Sequence, residues 1–350
     1  MRENLIGALI ASAFAFSGTA QASLLFDLNG AAAGGVINAT AFDWTTTSFL
    51  ARGGNTAIRN FIGPTVGGAG CAFGGCNFEV LTHAKLVGYT PAGGGSGISL
   101  PGTFTGSITM VASYTETVNA FGFIAGRPFA AFESTGAGFV EFYYSETDQA
   151  VDLTGSGFNA GRLIGRLEGF NIGAFGSFTV TNLGPNGLGF NLDGSGDGDD
   201  YFGQKTVSGT GSQEVLTAGV TSRDLDSSFF ITSLAGFELD YNSISIGLPY
   251  TGANPSDCFN DPIAARTVGM NYTSTCDTNH VNGLYSAQLA GPGYRPDVGL
   301  INGLNFASPD FVAQTDFNSR VNGVPEPGSL ALVGLALAGL GVVASRRRRA

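Results

Sequence analysis

The segment Asp193-Gly-Ser-Gly-Asp197-Gly-Asp199-Asp200 gathers oxygen ligands on a glycine-rich turn, and the chemistry it offers is calcium binding. Calcium takes several oxygens at once, and glycine lets a backbone wrap the ion. Asp193, Ser195, Asp197 and Asp199 fall at positions 1, 3, 5 and 7 of a twelve-residue calcium loop, with Gly198 at the sharp-turn position 6. Position 12 is Gln204, where such a loop carries a bidentate glutamate, and no flanking helices are evident. The stretch SGDGDDYF also fits a β-roll calcium nonapeptide with one glycine replaced, in a single copy where those rolls stack several. Two readings stand: a calcium site on Asp193, Asp197, Asp199 and Asp200, or a solvated acidic turn between strands. No other cofactor is expected.

The four cysteines form two local pairs, Cys71 with Cys76 and Cys258 with Cys276. An even count in an exported chain reads first as disulfides, and the local pairing is expected among the three connectivities. A four-cysteine zinc site would want a C-x-x-C, which the chain lacks. Catalytic constellations are thin. The two histidines, His83 and His280, stand in a predicted strand and a loop-rich stretch, and there is no G-x-S-x-G, H-E-x-x-H or phosphate-cradling loop. A glycosidase needs only two carboxylates, which the 26 acidic residues beyond residue 22 could supply. Arg162 and Arg166, four apart in a predicted strand, are expected on one face, as cross-strand charges or as contacts to an acidic glycan. Trp44, the only tryptophan, reads as a core aromatic.

The elements that would position these residues are strands. In GSITMVASYT, Ile108, Met110, Ala112 and Tyr114 share one face, and Ser107, Thr109, Ser113 and Thr115 the other. Val140, Phe142 and Tyr144 alternate with Phe139, Glu141 and Tyr143; Phe78, Val80 and Leu86 share a parity, as do Phe178 and Val180. The run Phe237, Leu239, Tyr241 changes parity before Ile244, Ile246, Leu248, which places a bulge or tight turn at Asn242-Ser243. Gly- and Pro-rich breaks separate the runs, and no long amphipathic helix appears between the termini. Many short strands with polar turns predict an all-β fold, an antiparallel β-sandwich-like domain. Eight of the thirteen prolines lie from Pro249 onward, so 23–248 is expected as the β-rich domain and 249–323 as a loop-rich extension and spacer.

Both ends read as targeting segments. Residues 1–22 have Arg2, an apolar stretch from Leu5 to Phe16, and Ala20-Gln21-Ala22, the pattern of a signal peptide cut before Ser23 by signal peptidase after Sec export. Residues 324–350 run Val324-Pro325-Glu326-Pro327-Gly328-Ser329, then an uncharged apolar span at 330–344, then Arg346, Arg347, Arg348 and Arg349. As a helix that span covers roughly 22 Å at about 1.5 Å per residue, short of the ~30 Å hydrocarbon core. It is expected to hold the chain in the membrane weakly and transiently, with the arginines inside. Without Arg2, Glu3 and the four tail arginines, 11 basic residues face 26 acidic ones, a net charge of −15. That charge repels nucleic acid and anionic membranes.

The order Pro325-Glu326-Pro327, apolar span and arginine cluster resembles the PEP-CTERM sorting signal of exported proteins in exopolysaccharide-producing Gram-negative bacteria. The resemblance implies cutting near the Pro-Glu-Pro by exosortase, a membrane-embedded cysteine-type transpeptidase. A plain single-pass anchor is the competing reading. Phe26-Asp27, Asn29-Gly30, Phe42-Asp43-Trp44 and EFYYSETDQAVDLTGSGFNAGRLI are similar to the flocculation-associated PEP-CTERM group. What these resemblances imply is a non-enzymatic protein of the cell surface or matrix that helps hold flocs or biofilm in exopolysaccharide. The alternative is a carbohydrate-binding module or glycoside hydrolase on the same route.

Overall fold

The computed structural model describes residues 23–30, 35–45, 47–150, 157–182, 190–191, 205–206, 208–213, 216–243, 266–273 and 311–323. The signal segment 1–22, the aspartates at 193–200, Cys258, Cys276, His280 and the sorting segment from Val324 onward lie outside these residues.

Among the described residues the chain is nearly all β, as the alternation predicts, with one short α-helix. In order come β1 (Leu24–Asp27), β2 (Val36–Trp44), β3 (Thr47–Arg52), helix α1 (Gly54–Ile62), β4 (Asn77–Pro91), β5 (Ile98–Ser99), β6 (Ser107–Ile124) and β7 (Arg127–Ser145). There follow β8 (Gly161–Phe170), β9 (Phe175–Asn182), β10 (Phe190–Asn191), β11 (Lys205–Thr206), β12 (Ser208–Gln213), β13 (Leu216–Leu225), β14 (Leu234–Ser243), β15 (Asn271–Tyr272) and β16 (Phe311–Gly323).

The expected sandwich is instead a closed antiparallel barrel. β2 and β3 pair with β4 end to end, Trp44 opposite Leu86 and Phe49 opposite Thr82, so together they make one bent stave. β8 and β9 do the same along β7, and β12 and β13 continue each other beside them. Each stave is bonded to the next in the order β2/β3, β4, β6, β7, β8/β9, β12/β13, β14, β16. β16 then returns to the first stave, with Phe311 opposite Ala51 and Ser319 opposite Phe42. Closure removes sheet edges that a sandwich would have to protect. The closing strand comes from the stretch 249–323 that its prolines made look loop-rich, as does β15, which pairs with β8.

The parity expectations hold inside this barrel. Ile108, Met110, Ala112 and Tyr114 point inward with Val140, Phe142, Phe78, Val80 and Leu86, all buried. Aromatic rings fill the interior: Phe142 meets Trp44, Phe230 and Phe237, and Phe26 meets Phe42. Trp44 is the core aromatic the sequence predicts, 1 % exposed. The outer wall carries ion pairs, among them Arg52–Glu79 and Arg320–Glu238. That is the reverse of a barrel in lipid, which is apolar outside and polar within. No helix among the described residues is long and apolar enough to cross a membrane; the apolar span 330–344 lies outside them.

The register of β14 against β16 slips between Tyr241 and Ser243, where the parity change places an irregularity. A second slip, between β7 and β8, was not legible. Phe142 pairs with Gly165 but Tyr143 with Leu163, so Ile164 is bulged out of register. The bulge inverts the faces, and Arg162 and Arg166 do not share one as expected. Arg166 lies on the outer wall against Glu141, whereas Arg162 sits at the barrel rim against Asp226 and Phe229.

The two ends differ. At one, α1 and the Cys71–Cys76 loop pack beside β4 and β6, with Val118 N–H bonded to the Cys76 carbonyl. The β6–β7 hairpin reaches beyond them. At the other end β1 lies across the mouth between β2 and the 226–232 loop. Asp27 N–H donates to the Phe229 carbonyl at 2.8 Å, and Ile231 N–H to the Leu25 carbonyl at 3.0 Å.

Candidate functional site

Among the described residues two places concentrate polar side chains: a buried network on the outer wall, and a groove at the mouth that β1 crosses.

On the outer wall, residues 146–150 and 157–160 of the connection after β7 lie back over β4, β6 and β7. Thr109 Oγ1 donates to the Phe158 carbonyl at 2.7 Å, the Phe158 ring lies 3.8 Å from His83 centre to centre, and Lys85 pairs with Asp148 at 2.6 Å. This strap buries an outer face that alternation alone would leave wet, and His83 is 0 % exposed as a result. Beneath it, Tyr143 OH donates to Glu141 Oε2 at 2.6 Å, and Arg166 binds the other oxygen while its Nε donates to Glu168 at 2.7 Å. Arg266 donates to Tyr143 Oη at 2.5 Å and to the Asn159 carbonyl at 3.0 Å, its guanidinium lying over the Tyr143 and Tyr272 rings.

Burial pushes the Glu141 carboxyl above its ordinary value, against the pull of Tyr143 and Arg166. Burial likewise pushes the Tyr143 phenol up, reinforced by the Glu141 charge. Desolvation works against the Arg166 guanidinium, and hydrogen bonds and charge from Glu168 and Glu141 hold it above its ordinary value. Each charge is met by a partner, as a buried ion must be. The network ties the strap, the 266–273 segment and the barrel wall together.

The groove at the rim is the more open feature. A cleft of about 480 Å³ is lined by Asn29, Tyr144, Glu146, Gln149, Arg162 and Asn271 among others. A second of about 190 Å³, with Phe104 and Thr105, shares Asn29 and Tyr144 with it. Tyr144 therefore sits at the middle of one trough. Phe229 backs its ring at 5.0 Å, and the Arg162 guanidinium lies over Phe229 while pairing with Asp226 at 2.5 Å. Desolvation works against the Asp226 charge, but hydrogen bonds from Ser228 and the neighbouring Arg162 hold its carboxyl below the usual value. Burial and the charges of Glu146 and Asp27 push the Tyr144 phenol up. Gly161 is required here: its φ is +93°, and a Cβ would stand 2.3 Å from the Tyr144 carbonyl.

Cys71 and Cys76 form the expected disulfide, with Cα atoms 4.8 Å apart. It closes a loop whose tip, Phe73, is fully exposed at a positive φ of 55°. Among the described residues no group of three or more His, Cys, Asp or Glu side chains is arranged to hold a metal. Sequence reading placed Tyr144 and Glu141 on opposite faces of a strand without a site role and passed over Arg266; their roles come from the bulge and the strap. It also passed over α1, though Gly53 and Gly63 bracket Ala57, Ile58, Phe61 and Ile62 at helical spacing.

Residues 323–349 match the family model described as the PEP-CTERM protein-sorting motif. The chain thus carries a PEP-CTERM sorting motif, which implies an exported protein processed by exosortase. No curated protein and no solved structure matches this chain.

Proposed function

We propose that this is a non-enzymatic protein of the cell surface or extracellular matrix of a Gram-negative bacterium, contributing to exopolysaccharide-associated cohesion of biofilm or flocs. The tail holds the chain in the inner membrane until exosortase cuts near Pro325, Glu326 and Pro327, and the barrel then moves to the surface or matrix. The observation that carries this reading is continuity: the sorting motif begins at residue 323, where the closing strand of the barrel ends. The barrel is therefore the cargo of the signal. Its filled interior, its ion-paired outer wall and the acidic balance of the chain suit a structural part of a hydrated matrix. A secreted carbohydrate-binding module on the same route is the second reading, favoured by the aromatic and amide lining of the rim groove.

The test is the intact mass and location of the protein in its own host, with Pro325, Glu326 and Pro327 native and then replaced by alanine. Loss of the tail in the native form and its retention in the variant is the expected result, with the native protein recovered from the matrix. An uncut tail in both forms would overturn the reading and leave a barrel anchored at the inner membrane.

A further inference from the structure

We propose that the rim groove around Tyr144 binds a segment of an uncharged polysaccharide. This rests on the reading of the barrel as a matrix component and names its ligand and the surface it uses.

The shape of the groove comes first. The larger cleft alone, about 480 Å³, is within the range of ligand pockets, about 300–1,000 Å³. The smaller one continues it through Asn29 and Tyr144, so among the described residues the two clefts form one elongated trough. A trough takes a chain that passes through, where a closed pocket takes a whole small molecule.

The lining then sets the chemistry. A sugar ring has an apolar C–H face and a rim of hydroxyls that both donate and accept. Tyr144, half-buried at the centre, and Phe104, half-buried in the smaller cleft, offer aromatic faces for the first. Phe229 is 1 % exposed and serves as backing that fixes the Tyr144 ring. Asn29, Gln149 and Asn271 are exposed and carry side-chain amides, groups that both donate and accept as hydroxyls require, and a hydrogen bond from Gln149 Nε2 to Ser145 Oγ at 2.7 Å fixes one of them in the lining.

Charge decides between neutral and acidic chains. Among the described residues lining the larger cleft the cation is Arg162, already paired with Asp226 at 2.5 Å. Glu146 is exposed in the lining and Asp27 lies near Tyr144, so a uronate or sulfate would meet carboxylates. An uncharged chain pays no such penalty.

Full-length protein purified in detergent is run through native gels containing dextran, hydroxyethyl cellulose, yeast mannan or alginate. Retardation by at least one uncharged polymer and none by alginate is expected. Tyr144→Ala should weaken that retardation about tenfold or more, as loss of a central aromatic contact does. Gln149→Ala, at an exposed position, should weaken it by a smaller factor, and Phe123→Ala at the far end of the barrel should leave it unchanged. Circular dichroism and melting confirm that each variant is folded. The proposal is overturned if no uncharged polymer retards the protein, if alginate alone does, or if both groove variants bind as the parent does. Matrix recovery with no groove binding would sink this inference alone. An uncut, membrane-held chain that still binds dextran would sink only the matrix reading.

Discussion

The indole N–H of Trp44 donates to Ser319 Oγ at 2.7 Å, and this buried bond joins two residues 275 positions apart. Trp44 ends β2 and Ser319 lies in β16, so the bond spans the seam at which the barrel closes. A buried indole must find an acceptor, and Ser319, 0 % exposed, is the one it finds. Ser319→Ala leaves that donor unsatisfied at a cost of about 1–3 kcal/mol. Urea unfolding checks this, and an unchanged midpoint would mean that the seam does not depend on the bond.

The β6–β7 hairpin turns through Ala125 and Gly126, with φ of 52° and 78°. Two consecutive positive φ values make a turn of the kind that favours Asn-Gly. Alanine in the left-handed region costs about 1–2 kcal/mol, and asparagine tolerates it better. Ala125→Asn should raise stability by about 0.5–1 kcal/mol, read as a higher melting temperature.

The Cys71–Cys76 bridge closes a short loop, so chain entropy limits what it contributes to about 2 kcal/mol. Replacing both cysteines by serine should cost no more than that. Hydrogen exchange should quicken around Phe73 while the barrel core stays protected. A collapse of the whole barrel would show that the loop, with α1, holds the fold and does more than cap it.

Glu141 should give stability a pH slope. Its carboxyl lies above the ordinary value near 4.5, so between that value and the folded one the native state holds more of this proton than the unfolded chain does. Stability from this group is fully present below the ordinary value and falls as pH rises through the folded one. Glu141→Gln removes that fall, whatever constant cost the weakened Arg166 contact adds. The stability of the variant relative to the parent should therefore improve from pH 4.5 upward. Denaturant midpoints across that range read the slope, and parallel curves would refute the assignment.

Gly323 pairs with Leu234 at the end of the barrel that holds the groove. Six residues, 324–329, separate it from the apolar span, a reach of at most about 20 Å. If the tail is held in lipid, as proposed, a tether of that length would keep that end of the barrel near the membrane. Asn271→Cys should react more slowly with a membrane-impermeant maleimide in the membrane-held form than in the processed one. Phe123→Cys, at the opposite hairpin tip, should react equally in both. Equal reaction at position 271 would show that the barrel is free to turn away.

Much of the fold could be read from the chain because it is local. Side-chain alternation has a period of two residues, so Met110, Val140 and Phe78 declare their inward face without reference to a partner strand. The parity change after Tyr241 is legible for the same reason, as are the short Cys71–Cys76 loop and the sorting motif, whose parts follow one another in sequence. What the tertiary structure decided is what depends on pairing at long range. Whether strands stack as a sandwich or close as a barrel rests on β16 meeting β2 and β3, and nothing within Phe311–Gly323 names those partners. The bulge at Ile164 separated Arg162 from Arg166 because register is set across strands, by hydrogen bonds to β7. The strap over His83 buried a face that its polar residues had marked as wet. The groove exists only where β1, the ends of β7 and β8 and the 226–232 loop converge, and a linear sequence holds no record of such a convergence.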